Sequence, residues 1–159
     1  MRFEHLIQIN EEGNPLAIAL TADQLWQGLV HRARSPQDFM EQVESVRILH
    51  QEDGYFEREM LLGRLRVVDH VTLTPGRRVH YDTQPSDEHG GGSLTLTIEE
   101  PQPGALFLRV VYETPLTQTP GMGEQDDGYY IDYVKAAYRQ NDIDTVRRIR
   151  QLAHAGLLG

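Results

Sequence analysis

Apolar and polar residues alternate with a two-residue period along most of the chain before Thr114, the pattern of strands that bury one face. Phe3, His5, Ile7 and Ile9 fall on one side of the first such run and Glu4, Leu6 and Gln8 on the other, which predicts a strand over 2–9. Six more strands are expected near 43–51, 55–62, 65–74, 78–84, 92–99 and 106–114. The turn signals Asp53-Gly54, Gly63-Arg64, Pro75-Gly76, Gly90-Gly91-Gly92 and Pro101-Gln-Pro-Gly104 separate them.

The period changes to a helical one twice. In LTADQLWQGLVHRARSPQDFM, residues 20–40, Thr21 and Gln24 form a capping box, with Leu20 and Leu25 spaced for a hydrophobic staple. Leu25, Leu29 and Ala33 then make one apolar stripe, flanked by Trp26 and Val30. A second start signal comes at once, with Ser35 as cap, Pro36 at the first helical position and Asp38 completing a box. Pro36 disfavours helical geometry at Ser35, so two short helices meeting at an angle are expected. The other change comes after Thr119-Pro-Gly-Met-Gly123, which reads as a mobile connection. From Glu124 to about Ala155 the chain reads as helix, with Glu124, Asp126 and Asp127 at its start and Arg147, Arg148 and Arg150 near its end. Tyr130, Ile131, Val134, Ala137 and Tyr138 form an apolar flank expected to face the sheet, and Asn141-Asp142 marks a possible kink or break.

One strand, two short helices, six antiparallel strands and a terminal helix make an α+β chain. An antiparallel sheet with one wet face needs a cover for its dry face, and the last helix is the element large enough to supply it. The register follows from the turns. If Gly63-Arg64 is a two-residue turn, Met60 faces Val67, Leu62 faces Leu65 and Phe56 faces Val71, all apolar pairs on one face. On that same face Arg58 stands opposite Asp69, a charge pair that is costly to desolvate unless hydrogen-bonded. It is either a structural salt bridge or a polar anchor for a ligand in an apolar cavity. The other face pairs Glu59 with Val68 and Glu57 with His70. An odd loop around Pro75-Gly76-Arg77 then pairs Val71 with Tyr81 and Leu73 with Val79. Leu94, Leu96, Ile98, Leu106, Leu108, Val110 and Tyr112 complete the inner face.

Composition narrows the function. The 159 residues suit one domain, 1–159, and a chain of this size buries roughly 70% of its unfolded surface. A net charge of -9 and a pI of about 5.2 argue against nucleic acid or an anionic membrane as partner. With no cysteine, thiol chemistry is excluded and a reducing cytoplasm is the expected location. Neither a signal peptide nor a membrane-spanning run of apolar residues is expected.

The chemical motifs are sparse. His70 and His80 read as outward and His5 as inward, with no metal-binding spacing around them, so no metal and no cofactor is expected. HGGGS lacks the lysine and strand-to-helix context of a phosphate loop and reads as a hairpin. His31-Arg32-Ala-Arg34 ends a helix, where positive charge is favourable; an anion site is the alternative. No nucleophile elbow or triad is present. Asp69 is the candidate acid–base group, with Tyr81 or Tyr112 as relay, although a carboxylate paired with an arginine is a poor proton donor.

In LTADQLWQGLVHRARSPQDF, GRLRVVDHVTLTPGRRVHY, GGSLTLTIEEP with LFLRVVYE, and DYVKAAYRQNDIDTVRRIR, the chain resembles the helix-grip fold of the START-like (SRPBCC) superfamily, and within it the AtaL-like family. The resemblance implies a seven-stranded antiparallel sheet curved around the last helix, two short helices bracing one end, and a cavity for a hydrophobic or amphipathic small molecule. It transfers no catalytic set. The expected ligand is of lipid, sterol, polyketide or aromatic type, with Arg58, Asp69, Tyr81, Leu96, Tyr112, Tyr130 and Val134 as candidate contacts. The alternatives are a cyclase- or dehydratase-like enzyme using Asp69 and a cavity tyrosine, and a protein-interaction module with a vestigial cavity.

Overall fold

The computed structural model describes residues 1–10, 19–115 and 124–158, the side chains of 124–130 excepted. Its elements are β1 (Arg2–Gln8), α1 (Ala22–Arg34), a 3-10 turn (Pro36–Asp38), β2 (Ser45–Glu52), β3 (Tyr55–Leu62), β4 (Leu65–Thr74), β5 (Arg78–Thr83), β6 (Gly92–Gln102), β7 (Ala105–Glu113) and α2 (Glu124–His154). The seven strands form one antiparallel sheet in the order β1-β7-β6-β5-β4-β3-β2. Strands β1 and β2 are therefore opposite edges, and the chain crosses between them through α1. This is the helix-grip arrangement expected from the sequence.

The registers follow the side-chain pattern. Across β3 and β4, Phe56 pairs with Val71, Arg58 with Asp69, Met60 with Val67 and Leu62 with Leu65. Three residues, Pro75 to Arg77, connect β4 to β5 and keep Val71 opposite Tyr81 and Leu73 opposite Val79. Strand β6 runs further than its periodicity predicts, through a register shift between Glu99 and Gln102 that accommodates Pro101, which has no N–H for the ladder. At the far edge the β2 register shifts between Ile48 and His50, and such irregularities blunt an edge against further strand pairing. On the outer face Arg109 bridges Glu99 of β6 and Glu4 of β1. Its hydrogen bonds draw both carboxyls below the ordinary glutamate range. The glycine run is a hairpin as expected. A side chain on Gly92 would meet the Glu113 carbonyl oxygen at 2.7 Å, and its φ of +128° suits glycine alone.

The capping box of α1 forms in both directions, Gln24 N–H to Thr21 Oγ1 and Thr21 N–H to Gln24 Oε1, each at 3.0 Å. Leu25, Leu29 and Ala33 are fully buried, each leucine contributing about 1.5–3 kcal/mol, while Trp26 packs half-buried beside them. The second box does not form. The Ser35 side chain makes no cap, because its backbone is already the C-cap of α1, with its N–H on the His31 carbonyl at 2.7 Å. Asp38 turns instead to His31 Nε2 at 2.7 Å. From Pro36 the chain makes one 3-10 turn rather than a second helix, and that turn is enough to swing it toward β2.

Helix α2 is continuous over 31 residues, so Asn141-Asp142 does not break it. Its buried stripe runs through Ile131, Asp142, Val146, Ile149 and Leu152, with Val134 and Tyr138 half-buried. Ala137 points to solvent, not to the sheet, because the 3.6-residue period carries the stripe past it. The arginines near the helix end tie down neighbouring chain: Arg148 donates to the Asp38 carbonyl and Arg150 to that of Ile9. The side chains at the acidic start of α2, and all of Thr119–Gly123, lie outside the described residues. No helix among the described residues is long and apolar enough to cross a membrane.

Helices α1 and α2 meet at Gly28, where a methyl group in place of the glycine hydrogen would lie 2.5 Å from Ile149 Cγ2. Gly28→Ala is therefore expected to lose about 1–3 kcal/mol through overpacking, despite the roughly 1 kcal/mol that alanine gains in helix propensity. Ile149→Ala in the same chain should recover part of that loss, so urea denaturation should show the double variant less destabilised than the sum of the singles. Additive losses would mean that the helices do not touch here.

Candidate functional site

The inner face of the sheet carries two apolar clusters. The larger includes Phe56, Val71, Leu106, Leu108 and Val110 with α1 and α2 above them; the smaller joins Val43, Met60 and Val67. Between them, along both β3 and β4, sits the pair Arg58 and Asp69, exposed by only 4% and 3%. Arg58 Nε and Nη2 reach Asp69 Oδ2 at 3.0 and 2.8 Å. Thr83 Oγ1 donates to Asp69 Oδ1 at 2.6 Å. Arg58 Nη1 donates to the Ala33 carbonyl at 2.7 Å and, more weakly, to that of Arg32 at 3.4 Å. Those carbonyls belong to the last turn of α1, whose acceptors have no partner within the helix. The pair therefore serves as a brace between helix and sheet. Both Asp69 oxygens accept hydrogen bonds, Oδ2 from the Arg58 guanidinium and Oδ1 from Thr83.

This brace forms part of the wall of a pocket of about 180 Å³. Its polar side is Arg32, Arg58, Asp69, Tyr81 and Thr83; Met40, Met60, Val67 and Leu94 supply apolar surface. A second space of about 340 Å³ adjoins it through the shared Thr83, His89 and Leu94 and extends past Gly91 to Tyr112 and Tyr138.

Arg32 is the residue that sequence reasoning misplaces. It is 5% exposed and turned inward, with its guanidinium carbon 5.7 Å from the Tyr81 ring centre and Nη1 3.4 Å from the Tyr81 hydroxyl. Its Nε has no hydrogen-bond partner among the described residues. The stripe spacing contains the signal, since Arg32 follows Leu29 by three positions and Leu25 by seven, on the same helix face.

A second buried polar group also escapes the sequence pattern. Asp142, on α2, accepts from the Tyr112 hydroxyl at 2.8 Å through Oδ1 and lies 2.7 Å from His5 Nε2 through Oδ2. Burial raises the Asp142 carboxyl above the ordinary aspartate range, an effect that His5, Tyr112 and Arg32 only partly offset. Burial, reinforced by the Asp142 charge, also pushes the Tyr112 phenol far up, so it stays a donor. The Tyr112 ring stacks on Tyr138 with centroids 4.0 Å apart. His5, Asp142 and Tyr112 thus join β1, α2 and β7. Tyr112 also reaches the 340 Å³ space, whereas His5 and Asp142 line neither pocket.

The remaining candidates are scattered. Leu96 is buried in the larger cluster and Val134 is half-buried on α2, and neither lines a pocket described above. The Tyr130 side chain lies outside the described residues. His70 sits on the outer face, 3.3 Å from Glu57, and His80 hydrogen-bonds Thr95 there.

A hydrogen-bonded buried pair behaves asymmetrically when cut. Arg58→Met or Asp69→Leu alone is expected to cost about 3–5 kcal/mol, because each strands the other charge, while the double variant should cost less than either. Urea denaturation of the three variants measures this. Single losses no larger than those of a surface substitution would show that the pair does not brace the fold.

The comparisons agree with this architecture. The sequence profile of the family described as acetylaranotin biosynthesis cluster protein L (AtaL) matches residues 7–156. No curated protein matches the chain at the sequence level. Among solved structures, the di-domain ARO/CYC StfQ from the steffimycin biosynthetic pathway superposes with a TM-score of 0.68 at 13% identity. That match covers 97% of this chain and 50% of StfQ, so the chain spans about half of that protein's length. The ZhuI aromatase/cyclase from Streptomyces sp. R1128 gives 0.61 at 16% identity, covering 97% and 93% of the two chains. Ara h 8.0201 gives 0.61 at 11% identity, covering 98% of each. At such identities the likeness speaks for the fold and not for the chemistry. The profile match over nearly the whole length, on a helix-grip fold, makes this chain a member of the AtaL family.

Proposed function

We propose that this protein binds a small amphipathic molecule of aromatic or polyketide type in the space between the sheet and its helices. The observation that carries this reading is the pocket of about 180 Å³ at the seam between the two apolar clusters, polar on one side and apolar on the other. At about 180 Å³ this pocket has room for a ring-sized group. The adjoining 340 Å³ falls in the usual range of about 300–1,000 Å³ for small-molecule sites and would take the rest of the ligand. The smaller pocket alone is too small for a sterol nucleus, which favours a ligand that places a single ring there.

A second reading, acid–base turnover of the cyclase or dehydratase kind, draws on one observation. Tyr112 connects the larger pocket to the buried Asp142–His5 pair, a route by which a proton can move. Asp69, held in an ion pair by the Arg58 guanidinium, suits that role less well.

A thermal-shift series of naphthols and aromatic acids against cholesterol and palmitate tests the binding reading. A ligand at a hundred times its Kd adds about 2.7 kcal/mol, and in a chain of this size each kcal/mol raises the melting temperature by about 2–4 °C. The ring compounds are expected to shift the transition upward while the sterol and the fatty acid do not. Shifts from the sterol or fatty acid alone would overturn the proposed class.

A further inference from the structure

We propose that the ligand carries an anionic oxygen, a carboxylate or an ionised enol or phenol on a ring-sized apolar body, and that Arg32 is its anchor. This rests on the reading that the pocket binds a small molecule, and it names the chemistry of that molecule.

One buried charge is left over. Among the described residues, four buried acidic or basic side chains surround the region: Arg32, Arg58, Asp69 and Asp142. Arg58 and Asp69 satisfy one another, with Thr83 and the Ala33 carbonyl completing their bonds. Asp142 feels the charge of Arg32 but spends its two oxygens on His5 and Tyr112. Arg32 is left with one long hydrogen bond to a phenol and an Nε that finds no acceptor among the described residues. A buried lysine or histidine in this position could shed its proton; a guanidinium cannot, and although Asp142 and the tyrosines favour the Arg32 charge, they leave its Nε–H without an acceptor among the described residues. The pocket is where that acceptor fits, because Arg32 lines it.

The surroundings prepare the guanidinium for a planar oxyanion. Arg32 and Arg58 both lie against the Tyr81 ring, their guanidinium carbons 5.7 and 4.9 Å from its centre. Arg58 also holds the carbonyl of Arg32 itself, which fixes the backbone that carries the anchor. Two arginines against one aspartate leave this wall net positive, within a chain whose net charge is -9. A guanidinium offers a paired fork of donors to a carboxylate. Met40, Met60 and Val67 supply apolar and polarisable surface for the ring.

Calorimetric titration of 2-naphthoate and its isostere 2-naphthamide at pH 7 separates the possibilities. The acid is expected to bind at least ten-fold more tightly than the amide to the unaltered protein, a comparison that requires no variant. In Arg32→Met the preference should vanish while a cooperative urea transition shows that the variant still folds. Arg32→Lys, which keeps a charge without the fork, should retain part of the preference. Equal binding of acid and amide, or a preference that survives Arg32→Met, would overturn the anchor and leave the pocket reading standing. If no ring compound binds, whether acid or neutral, the pocket reading fails and the anchor with it.

Discussion

A charge pair buried on the inner face of a sheet has to be satisfied on every side, and the end of α1 and the neighbouring strands are arranged around doing so. Arg58 and Asp69 interrupt the apolar rows of β3 and β4 at the same level, which divides the inner face into two clusters. Satisfying Arg58 requires acceptors from outside the sheet, and the last carbonyls of α1 provide them. That contact holds the last turn of α1 against the sheet, while Gly28 sets how closely the helix can approach α2. The apolar clusters supply most of the stabilisation. The pair supplies position, which is the role in which buried ionic groups are best attested.

Docking α1 in this way has a consequence for binding. The same helix turn that offers its carbonyls to Arg58 directs the Arg32 side chain into the seam between the clusters, against Tyr81. The brace and the proposed anchor are thus built from neighbouring atoms with separate tasks. One arginine is saturated and holds the fold; the other has donors to spare. The buried Asp142 group ties β1, β7 and α2 together and holds Tyr112, whose ring stacks on Tyr138 at the wall of the larger space.

The strands, their registers and the first capping box are legible in the sequence because each depends on local periodicity or on turns of fixed length. The Arg58–Asp69 pairing follows from the Gly63-Arg64 turn alone. The parts that are not legible depend on contacts between distant segments. Ser35 looks like a cap until the backbone of α1 claims its N–H, and Asp142 looks like a helix breaker until His5 and Tyr112, far away in sequence, are seen beside it. Arg32 is misleading for a different reason: positive charge at a helix end has a ready dipole explanation, and that explanation hides its place on the buried stripe. Leu96 and Val134 belong to the inward pattern and line neither of the two pockets described.

The most direct test of the proposed division of labour is a crystal structure of the protein with 2-naphthoate. The carboxylate is expected about 3 Å from the Arg32 guanidinium, with the ring between Tyr81 and the methionines and Arg58 still bonded to Asp69 and the Ala33 carbonyl. A carboxylate held by Arg58, with Asp69 released, would contradict the separate tasks of the two arginines; so would a naphthalene ring bound outside the pocket.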